Sequence, residues 1–559
     1  MVSKFLAFLG RDIAGLHEAA YVLGAFALLS QVFGLIRDRL LAHIFGAGTA
    51  LDIYYSAFRI PDLVFVSIAS LVSISVLIPF IAEHENKGDA ELSRFLSSIF
   101  SVFSVSMIGI SAVLYAFMPT LSVFLFPTLI GGEYGTILID MTRILLLSPI
   151  LLGISNLLGS ITQVRKRFIL YASGPILYNI GIIIGVVLLY PLLGLQGLAY
   201  GVVLGAGMHM LIQVPYIISE GLFPRITWSI RWFDIKRVLL LSLPRTATLS
   251  LHQIVFIILI AYAARMLEGS VSVFSLGFNI QSVPLSIIGV SYSVAAFPTL
   301  ARLFSGGKEK EFLEHIVSAL RHILFWSVPA TVLFIVLRAQ IVRVVLGSGA
   351  FDWNDTRLTA AVLALFCVSL VAQSLVLLFV RGYYARGKTL YPLLINSIGS
   401  VAMIIFVWLG LHMFATYPFF QNSIEALFRI EDIKGSAVLA LPLGYSIGMI
   451  LNALLFLFFF NRDFKIMSRV IRNTFLQSLA GSFVMGVVAH ELLRVFDNIF
   501  DINTLFGILA QGFCAGILGI IAGTAFLLML GNVETREVIR SLSHKFWKTK
   551  TVSAEQETI

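Results

Sequence analysis

Apolar residues in this chain fall into long runs, and each run is long enough to cross a lipid bilayer as a helix. A membrane-spanning helix needs about 20 mostly apolar residues. We number the runs in chain order as spans 1 to 14: 20–44, 54–82, 94–117, 138–161, 168–191, 195–218, 238–263, 270–300, 315–337, 357–380, 389–413, 435–460, 474–493 and 504–530. The pattern predicts an all-α polytopic membrane protein with about fourteen transmembrane helices.

The scarcity of charge excludes a soluble globule of this size. Of 559 residues, 58% are hydrophobic and 12% are charged, whereas a soluble domain carries roughly a quarter charged residues. The net charge of +9 comes largely from short loops, and no basic face with interleaved aromatic residues indicates nucleic-acid binding. Cys367 and Cys514 lie inside apolar runs, so neither a disulfide framework nor metal-ligand spacing is indicated.

The loops between the spans alternate in charge. Loops after even-numbered spans are rich in Lys and Arg, as in 165–167 and 462–472, whereas loops 118–137 and 192–194 contain neither residue. Loop 338–357 is an exception with three arginines. Because basic loops stay on the cytoplasmic side of a membrane, the alternation predicts that both termini are cytoplasmic. The basic tail is expected to lie on anionic lipid headgroups.

An internal repeat divides the chain. Residues 57–83 and 277–302 share Phe-x-Ile near their start and Pro near their end, and 165–186 resembles 385–406. The offset of about 220 residues corresponds to six spans, which predicts two six-helix lobes in the same orientation with a cavity between them. The predicted division is an N-terminal lobe at 1–222, a C-terminal lobe at 223–465, two further helices in 466–532 and a cytoplasmic basic tail at 533–559.

Small residues at four-residue spacing mark close helix contacts. Gly197, Gly201 and Gly205 form such a ladder on span 6. The pattern favours packing within the chain over a dimer interface.

Charged and amide residues inside or beside the spans are the candidate functional residues, because each intramembrane charge costs about 2.5–3.5 kcal/mol on insertion scales. The candidates for substrate binding are Arg37, Asp38, Asp52, Arg59, Arg245 and Asn279. A guanidinium suits phosphate because its planar fork donates paired hydrogen bonds. For Arg37 the alternatives are an anion contact facing the cavity and an ion pair with Asp38 or Asp52 that pins span 1. The alternative to substrate contact is anchoring at the membrane interface for Arg59 and snorkelling to the interface for Arg245.

No enzyme signature is present. The chain contains no phosphate-binding loop, no HExxH, no GxSxG and no paired carboxylates on one helix face. We expect no cofactor. Without a nucleotide site, transport would depend on a coupling ion, the membrane potential or a downhill substrate gradient.

Two segments resemble the MurJ (MviN) lipid II flippase family. They are GLIRDRLLAHIFGAGTALDIYYSAFRIPDL at 34–63 and GYYARGKTLYP at 382–392. The resemblance implies a V-shaped cavity that opens alternately to each side and flips an undecaprenyl-pyrophosphate-linked peptidoglycan precursor to the outer leaflet. It implies arginines that bind the pyrophosphate, and a groove for the lipid tail formed by the last two helices. It also implies a bacterial inner-membrane location, membrane lipids as contacts and the cell-wall synthesis machinery as a partner.

Several positions depart from the family pattern. Arg37 and Asp38 match the family's Arg-Asp pair, and Asp52 matches its aspartate at span 2. The family's other cavity arginines fall at Gln31, at Val64–Phe65 and at Asn279. We therefore hypothesise that Arg59 and Arg245 substitute for them. The family's sodium site is not recognisable, since spans 7, 10 and 11 lack a central carboxylate.

Four functions are compatible with the sequence to different degrees. The first is lipid II flipping, and the second is flipping of another lipid-linked oligosaccharide by the same fold. The third is export of cationic drugs, which predicts acidic residues in the cavity, where they are scarce. The fourth is a membrane scaffold without transport, which two intact lobes argue against.

Overall fold

The computed structural model describes residues 16–72, 74–131, 134–465 and 469–546. Within those ranges all regular secondary structure is helical, and there is no β-strand. Helix is the expected state of such apolar runs, because lipid offers no hydrogen-bond partner and a helix satisfies its backbone groups internally. The predicted fold class is confirmed.

The helices follow the predicted spans closely. Those of spans 1 to 6 are Leu16–Phe45; Thr49–Ala57, Arg59–Val64, the π-helical turn Phe65–Ala69 and Ile74–Glu85; Asp89–Leu125; Gly135–Leu145 and Leu147–Val164; Phe168–Ile184, the π-helical turn Gly185–Leu189 and Tyr190–Leu193; and Gln196–Leu211 with Val214–Ser219. Those of spans 7 to 14 are Trp232–Ala263; Ser270–Leu285, the π-helical turn Ser286–Val290 and Ser291–Ser305; Glu309–Val336; Trp353–Val368 and Leu370–Ala385; Leu390–Thr416; the 3-10 turn Ser436–Leu439 and Ala440–Phe464; Arg469–Phe496; and Leu505–Met529. Shorter helices lie between or after them: Pro127–Ile130, Arg338–Val345, Pro418–Phe428 and Val533–Phe546.

The length and apolarity of the helices support many membrane crossings. In the described part of the chain, 11 helices are long and apolar enough to cross a membrane, and the count rises to 12 if the pair in span 10, bent by 43°, is one crossing. These correspond to spans 3 to 14. The helices of spans 1 and 2, which carry most of the charged candidates, are not among these 12. The total of fourteen crossings therefore stays a prediction.

Two irregular turns fall at matching places in the internal repeat. Span 2 contains the π-helical turn Phe65–Ala69, and span 8 contains the turn Ser286–Val290. Their starts are separated by nearly the offset of about 220 residues that relates the sequence repeats. Each is followed by a proline inside the next helix, Pro79 and Pro298. Such turns are often found at functional sites.

The chain divides into two compact units. One comprises Met1–Val283, Val342–Phe366 and Lys388–Asn452, and the other comprises Pro284–Ile341, Cys367–Gly387 and Ala453–Ile559. The predicted lobe boundaries near residues 222, 465 and 532 stay predictions. All six candidate residues belong to the first unit.

The glycine ladder packs span 6 against span 5. A Cβ on Gly181 would come 2.2 Å from the Gly205 Cα, and a Cβ on Gly201 would come 2.3 Å from the Gly185 Cα. Only hydrogen at these positions lets the two backbones approach so closely. The prediction of packing within the chain is confirmed for Gly201 and Gly205.

Candidate functional site

Arg37 is held in a fixed orientation on the helix Leu16–Phe45. Its Nε donates to Asp38 Oδ1 at 2.9 Å, and one terminal nitrogen lies 2.8 Å from the same oxygen. The other terminal nitrogen donates to Asn179 Oδ1 at 3.0 Å. The Arg37 side chain is nevertheless 22% exposed, while that of Asp38 is 4% exposed. The ion pair and a partly exposed side chain therefore coexist, and two of the five guanidinium N–H groups are not engaged by Asp38 or Asn179.

Asp38 joins span 1 to span 8. Its second carboxylate oxygen accepts a hydrogen bond from Asn279 Nδ2 at 3.2 Å. Asn279 lies on the helix Ser270–Leu285. Three of the predicted residues, Arg37, Asp38 and Asn279, therefore meet in one cluster.

Asn179 completes this cluster, although the sequence analysis did not select it. It is 7% exposed, and its Nδ2 donates to Pro175 O at 3.0 Å and approaches Ser30 O and Oγ at 3.4 Å. A buried amide in a lipid-spanning run needs such partners. The signal in the sequence is a single amide within the apolar run 168–191.

Arg59 lies near the same cluster on span 2. Its Nε donates to Tyr55 O at 3.0 Å, and its guanidinium is within electrostatic range of Asp62. Tyr54 and Tyr178 each interact electrostatically with both Arg37 and Asp62. The Arg37–Asp38 pair and the Arg59–Asp62 pair therefore lie close together.

Asp52 lies outside this cluster's hydrogen bonds and contacts the start of span 8. Its Oδ2 accepts from Gly269 N at 2.8 Å, and its Oδ1 accepts from Ser272 N at 2.7 Å and from Ser272 Oγ at 2.5 Å. This carboxylate therefore caps the start of the helix Ser270–Leu285, where unpaired N–H groups favour an anion. Asp52 is 3% exposed, and its predicted contact with substrate stays a prediction.

The cap at Asp52 belongs to a larger set of contacts around the loop between spans 1 and 2. Thr49 donates to Glu268 Oε1 from its N at 2.9 Å and from its Oγ1 at 2.6 Å. These hydrogen bonds lower the pKa of Glu268, so this carboxylate stays ionised at neutral pH. Ala47 N donates to Asp355 Oδ2 at 3.1 Å, and Ala350 N donates to His43 O at 2.8 Å. The loop is thereby tied to the loops after spans 7 and 9.

Gly269 is required by the geometry of this set. Its φ is +86°, and a Cβ there would lie 2.2 Å from Ala47 O. Any larger residue would be strained in its backbone and would push the two loops apart.

Comparison with known proteins identifies the family. A family model described as "Lipid II flippase MurJ" matches residues 41–511, which is most of the chain. The chain belongs to the MurJ family. The MurJ relatives include the lipid II flippase MurJ of Burkholderia cenocepacia, 25% identical over 498 residues that cover 86% of this chain and 91% of the relative. A probable lipid II flippase MurJ of Rhizobium tropici is 26% identical over 545 residues that cover 93% of this chain and 96% of the relative.

Solved structures agree on the fold. A structure titled "Lipid II flippase MurJ, inward closed conformation" matches with a TM-score of 0.71 and 23% identity, covering 93% of this chain and 100% of that one. An inward-facing multidrug transporter of the MATE family matches with a TM-score of 0.61 and 16% identity, covering 80% of this chain and 99% of that one. Membership of the MurJ family and the many apolar helices make this a multi-pass protein of the bacterial inner membrane, of a family of transporters.

Arg245 of this MurJ-family chain lies on the long helix Trp232–Ala263, half-buried and next to Pro244. Its neighbours on that helix contact span 2 just after the π-helical turn. Ser242 Oγ donates to Leu71 O at 2.7 Å, and Ser70 Oγ donates to Thr246 Oγ1 at 2.8 Å. Arg245 therefore lies on the helix that packs against span 2 just after Phe65–Ala69, and its predicted role stays a prediction.

Proposed function

We propose that this chain flips lipid II, the undecaprenyl-pyrophosphate-linked peptidoglycan precursor, from the inner to the outer leaflet by alternating access. The match to the MurJ family over residues 41–511 carries the proposal. The ordered, partly exposed Arg37 side chain supports it, since two of its N–H groups are not engaged by Asp38 or Asn179 and guanidinium N–H groups bind phosphate strongly.

Arg37 is the anion contact in this proposal. Asp38 and Asn179 orient its guanidinium before substrate arrives, so less conformational freedom is lost when the pyrophosphate binds. Asn279 donates to the second oxygen of Asp38 and thereby keeps Asp38 Oδ1 directed at Arg37. Arg59 and Arg245 add positive charge from spans 2 and 7.

In this proposal, the loop between spans 1 and 2 and its contacts lie on the periplasmic side. Both termini then lie in the cytoplasm, as the basic loops predict. The hydrogen bonds of Thr49 to Glu268 and of Ala47 to Asp355 would close that side. Opening toward the periplasm requires that they break together. The cell-wall synthesis machinery, which consumes the precursor, is the proposed partner.

Other cargoes are less well supported. The multidrug transporters share the fold at 16% identity or less, and this is a likeness of fold alone. Another undecaprenyl-linked oligosaccharide would present the same pyrophosphate, so the cluster at Arg37 does not separate it from lipid II. Rescue of cells that lack their own lipid II flippase distinguishes lipid II from the other cargo.

Complementation of a conditional strain that lacks its own lipid II flippase tests the function. The wild-type chain should restore growth, and Arg37→Ala should abolish rescue while the protein stays in the membrane. The loss of charge-assisted hydrogen bonds should weaken binding of the pyrophosphate about tenfold to a hundredfold. Arg94→Ala is the matched control, since Arg94 is 67% exposed and pairs with Glu91 within its own helix turn.

Two results would contradict the proposal. Failure of the wild-type chain to rescue growth, despite its insertion in the membrane, would transfer the assignment to another lipid-linked glycan. Full rescue by Arg37→Ala would remove Arg37 from the binding site.

A further inference from the structure

Asp62 is an intramembrane carboxylate that the sequence analysis did not select. It lies on the helix Arg59–Val64, inside span 2. Its carboxylate forms no hydrogen bond and no ion pair with any residue of the described chain, and Arg59 is the charged residue within electrostatic range. An ionisable group left without a partner in a membrane span is costly and indicates a function.

A small cavity adjoins this carboxylate. Its volume is about 20 Å³, and its polar lining consists of Asp62, Ser148 and Tyr178. The rest of the lining is apolar and includes Phe58 and Leu152. A water molecule needs roughly 10–15 Å³ and two or more polar partners, so the cavity accommodates about one water beside the Asp62 carboxylate.

The charges around the cavity cancel when all are ionised. Arg37 and Asp38 form one pair, and Arg59 and Asp62 face each other without contact. Tyr54 and Tyr178 lie among them as neutral hydroxyl groups. These four groups carry no net charge, so by themselves they offer little net attraction to an anionic pyrophosphate.

No charged group of the other elements packed here is within electrostatic range of the Asp62 carboxylate in the described chain. Span 4 contributes Ser148, while its charged residues engage other partners: Asp140 accepts from Gln196 at 3.4 Å and Arg143 donates to Tyr115 O at 3.1 Å. Span 7 packs against span 2 through the Ser67–Ser250 hydrogen bond at 2.9 Å. Its ionisable residues on either side of that bond are Arg245 and His252.

We propose that Asp62 is a proton-binding site whose protonation accompanies binding of the anionic lipid head. This rests on the proposed function. One proton from water forms an O–H bond on the carboxylate, and nothing is oxidised or reduced. The neutral carboxyl then hydrogen-bonds to the cavity water, and Arg59 is left as an uncompensated positive charge. The cluster carries one net positive charge and attracts the pyrophosphate, and by reciprocity the pyrophosphate favours the proton.

A proton suits this cavity better than a metal cation. The polar lining offers one carboxylate and two hydroxyl groups, which is fewer oxygen ligands than a hard cation takes. The described residues contain no group of three or more His, Cys, Asp or Glu side chains placed to hold a metal.

Calorimetry in buffers of different ionisation enthalpy tests the proposal on the purified full-length protein. The probe is a water-soluble short-chain lipid II analogue, whose diester pyrophosphate does not titrate near neutral pH. The wild-type chain should take up about one proton per analogue bound, and its affinity should rise up to about tenfold per unit fall in pH, the limit for one linked proton. Asp62→Asn should bind without proton uptake and without pH dependence.

Controls separate the possible sites. Asp140→Asn removes a carboxylate from span 4 outside the cluster and should keep the wild-type proton uptake. Infrared difference spectra of the protein without analogue should show a protonated carboxyl band that grows on acidification and is missing from Asp62→Asn. That band requires no knowledge of the cargo.

Several outcomes would overturn the proposal. They are binding without proton uptake in the wild type, uptake that persists in Asp62→Asn, and an affinity that follows sodium concentration instead of pH. In each of these cases the analogue still binds, and the flippase assignment stands. No binding by the wild type at any pH, together with failed complementation, would instead reject the flippase assignment and the coupling with it.

Discussion

Asp38 and Asn279 both stabilise the cluster around Arg37, but by different amounts. Asp38 neutralises Arg37 inside the bilayer and also accepts from Asn279. Asn279 contributes one hydrogen bond at 3.2 Å. Removing a counter-charge from a buried partner is far more costly than removing one neutral donor, so the two residues give a graded test.

We expect Asp38→Asn to lower the free energy of unfolding by about 3 kcal/mol, the lower end for a buried pair, because Arg37 is left charged in a mostly apolar setting. Asn279→Ala should lower it by about 1 kcal/mol, the typical value for one hydrogen bond. Thermal unfolding of both variants in detergent, with Asp38→Glu as the charge-preserving control, measures the difference. Equal shifts for the two variants would mean that the Arg37–Asp38 pair is not a stabilising unit.

At the scale of elements, a strap of residues 223–231 joins spans 6 and 7 and is fastened by serines of the helix Asp89–Leu125. Ser97 Oγ accepts from Arg225 N at 3.1 Å, Ser101 Oγ accepts from Thr227 N at 2.8 Å, and Ser98 Oγ accepts from Arg231 N at 3.4 Å. These hydroxyl groups replace the backbone partners that an irregular segment lacks.

Replacing Ser97, Ser98 and Ser101 together by Ala should loosen the strap, because its backbone donors lose their acceptors. Limited trypsin digestion should then cleave after Arg225 and Arg231 several-fold faster than in the wild type. Ser104→Ala is the matched control, since Ser104 is on the same helix and its buried hydroxyl has no partner. Unchanged cleavage in the triple variant would show that other contacts fasten the strap.

For the whole molecule, the proposed alternating access requires the loop contacts at Thr49 and Glu268 to break in each cycle. The Thr49 Oγ1 and Glu268 Oε1 atoms are 2.6 Å apart. In a chain with Cys367 and Cys514 replaced by Ala, Thr49→Cys with Glu268→Cys should be joined by a short bifunctional thiol reagent.

The joined protein should lose flipping in proteoliposomes, and a cleavable version of the reagent should restore it on reduction. Each single cysteine variant treated in the same way serves as the control and should keep its activity. Undiminished flipping by the joined protein would mean that these loops do not separate during transport.

The sequence by itself determined the fold class, the placement of the helix ends to within eight residues, and a resemblance to the family that the comparisons then showed. These features depend on sums over local runs of apolar residues and on short motifs, which need no knowledge of distant contacts. The internal repeat was also visible locally, and the π-helical turns at Phe65–Ala69 and Ser286–Val290 recur at its spacing.

Only the tertiary structure decided which polar residues meet. Arg37 and Asn179 are 142 residues apart, and Asp38 and Asn279 are 241 residues apart. The tertiary structure also showed that Asp52 caps a helix, and that the Asp62 carboxylate lies beside a cavity with no hydrogen-bond partner among the described residues. Hydropathy gives the depth of a residue along its helix but not the direction of its side chain around the bundle. That direction follows from how the helices pack, and it decides whether a charge is paired, capped or open to a ligand.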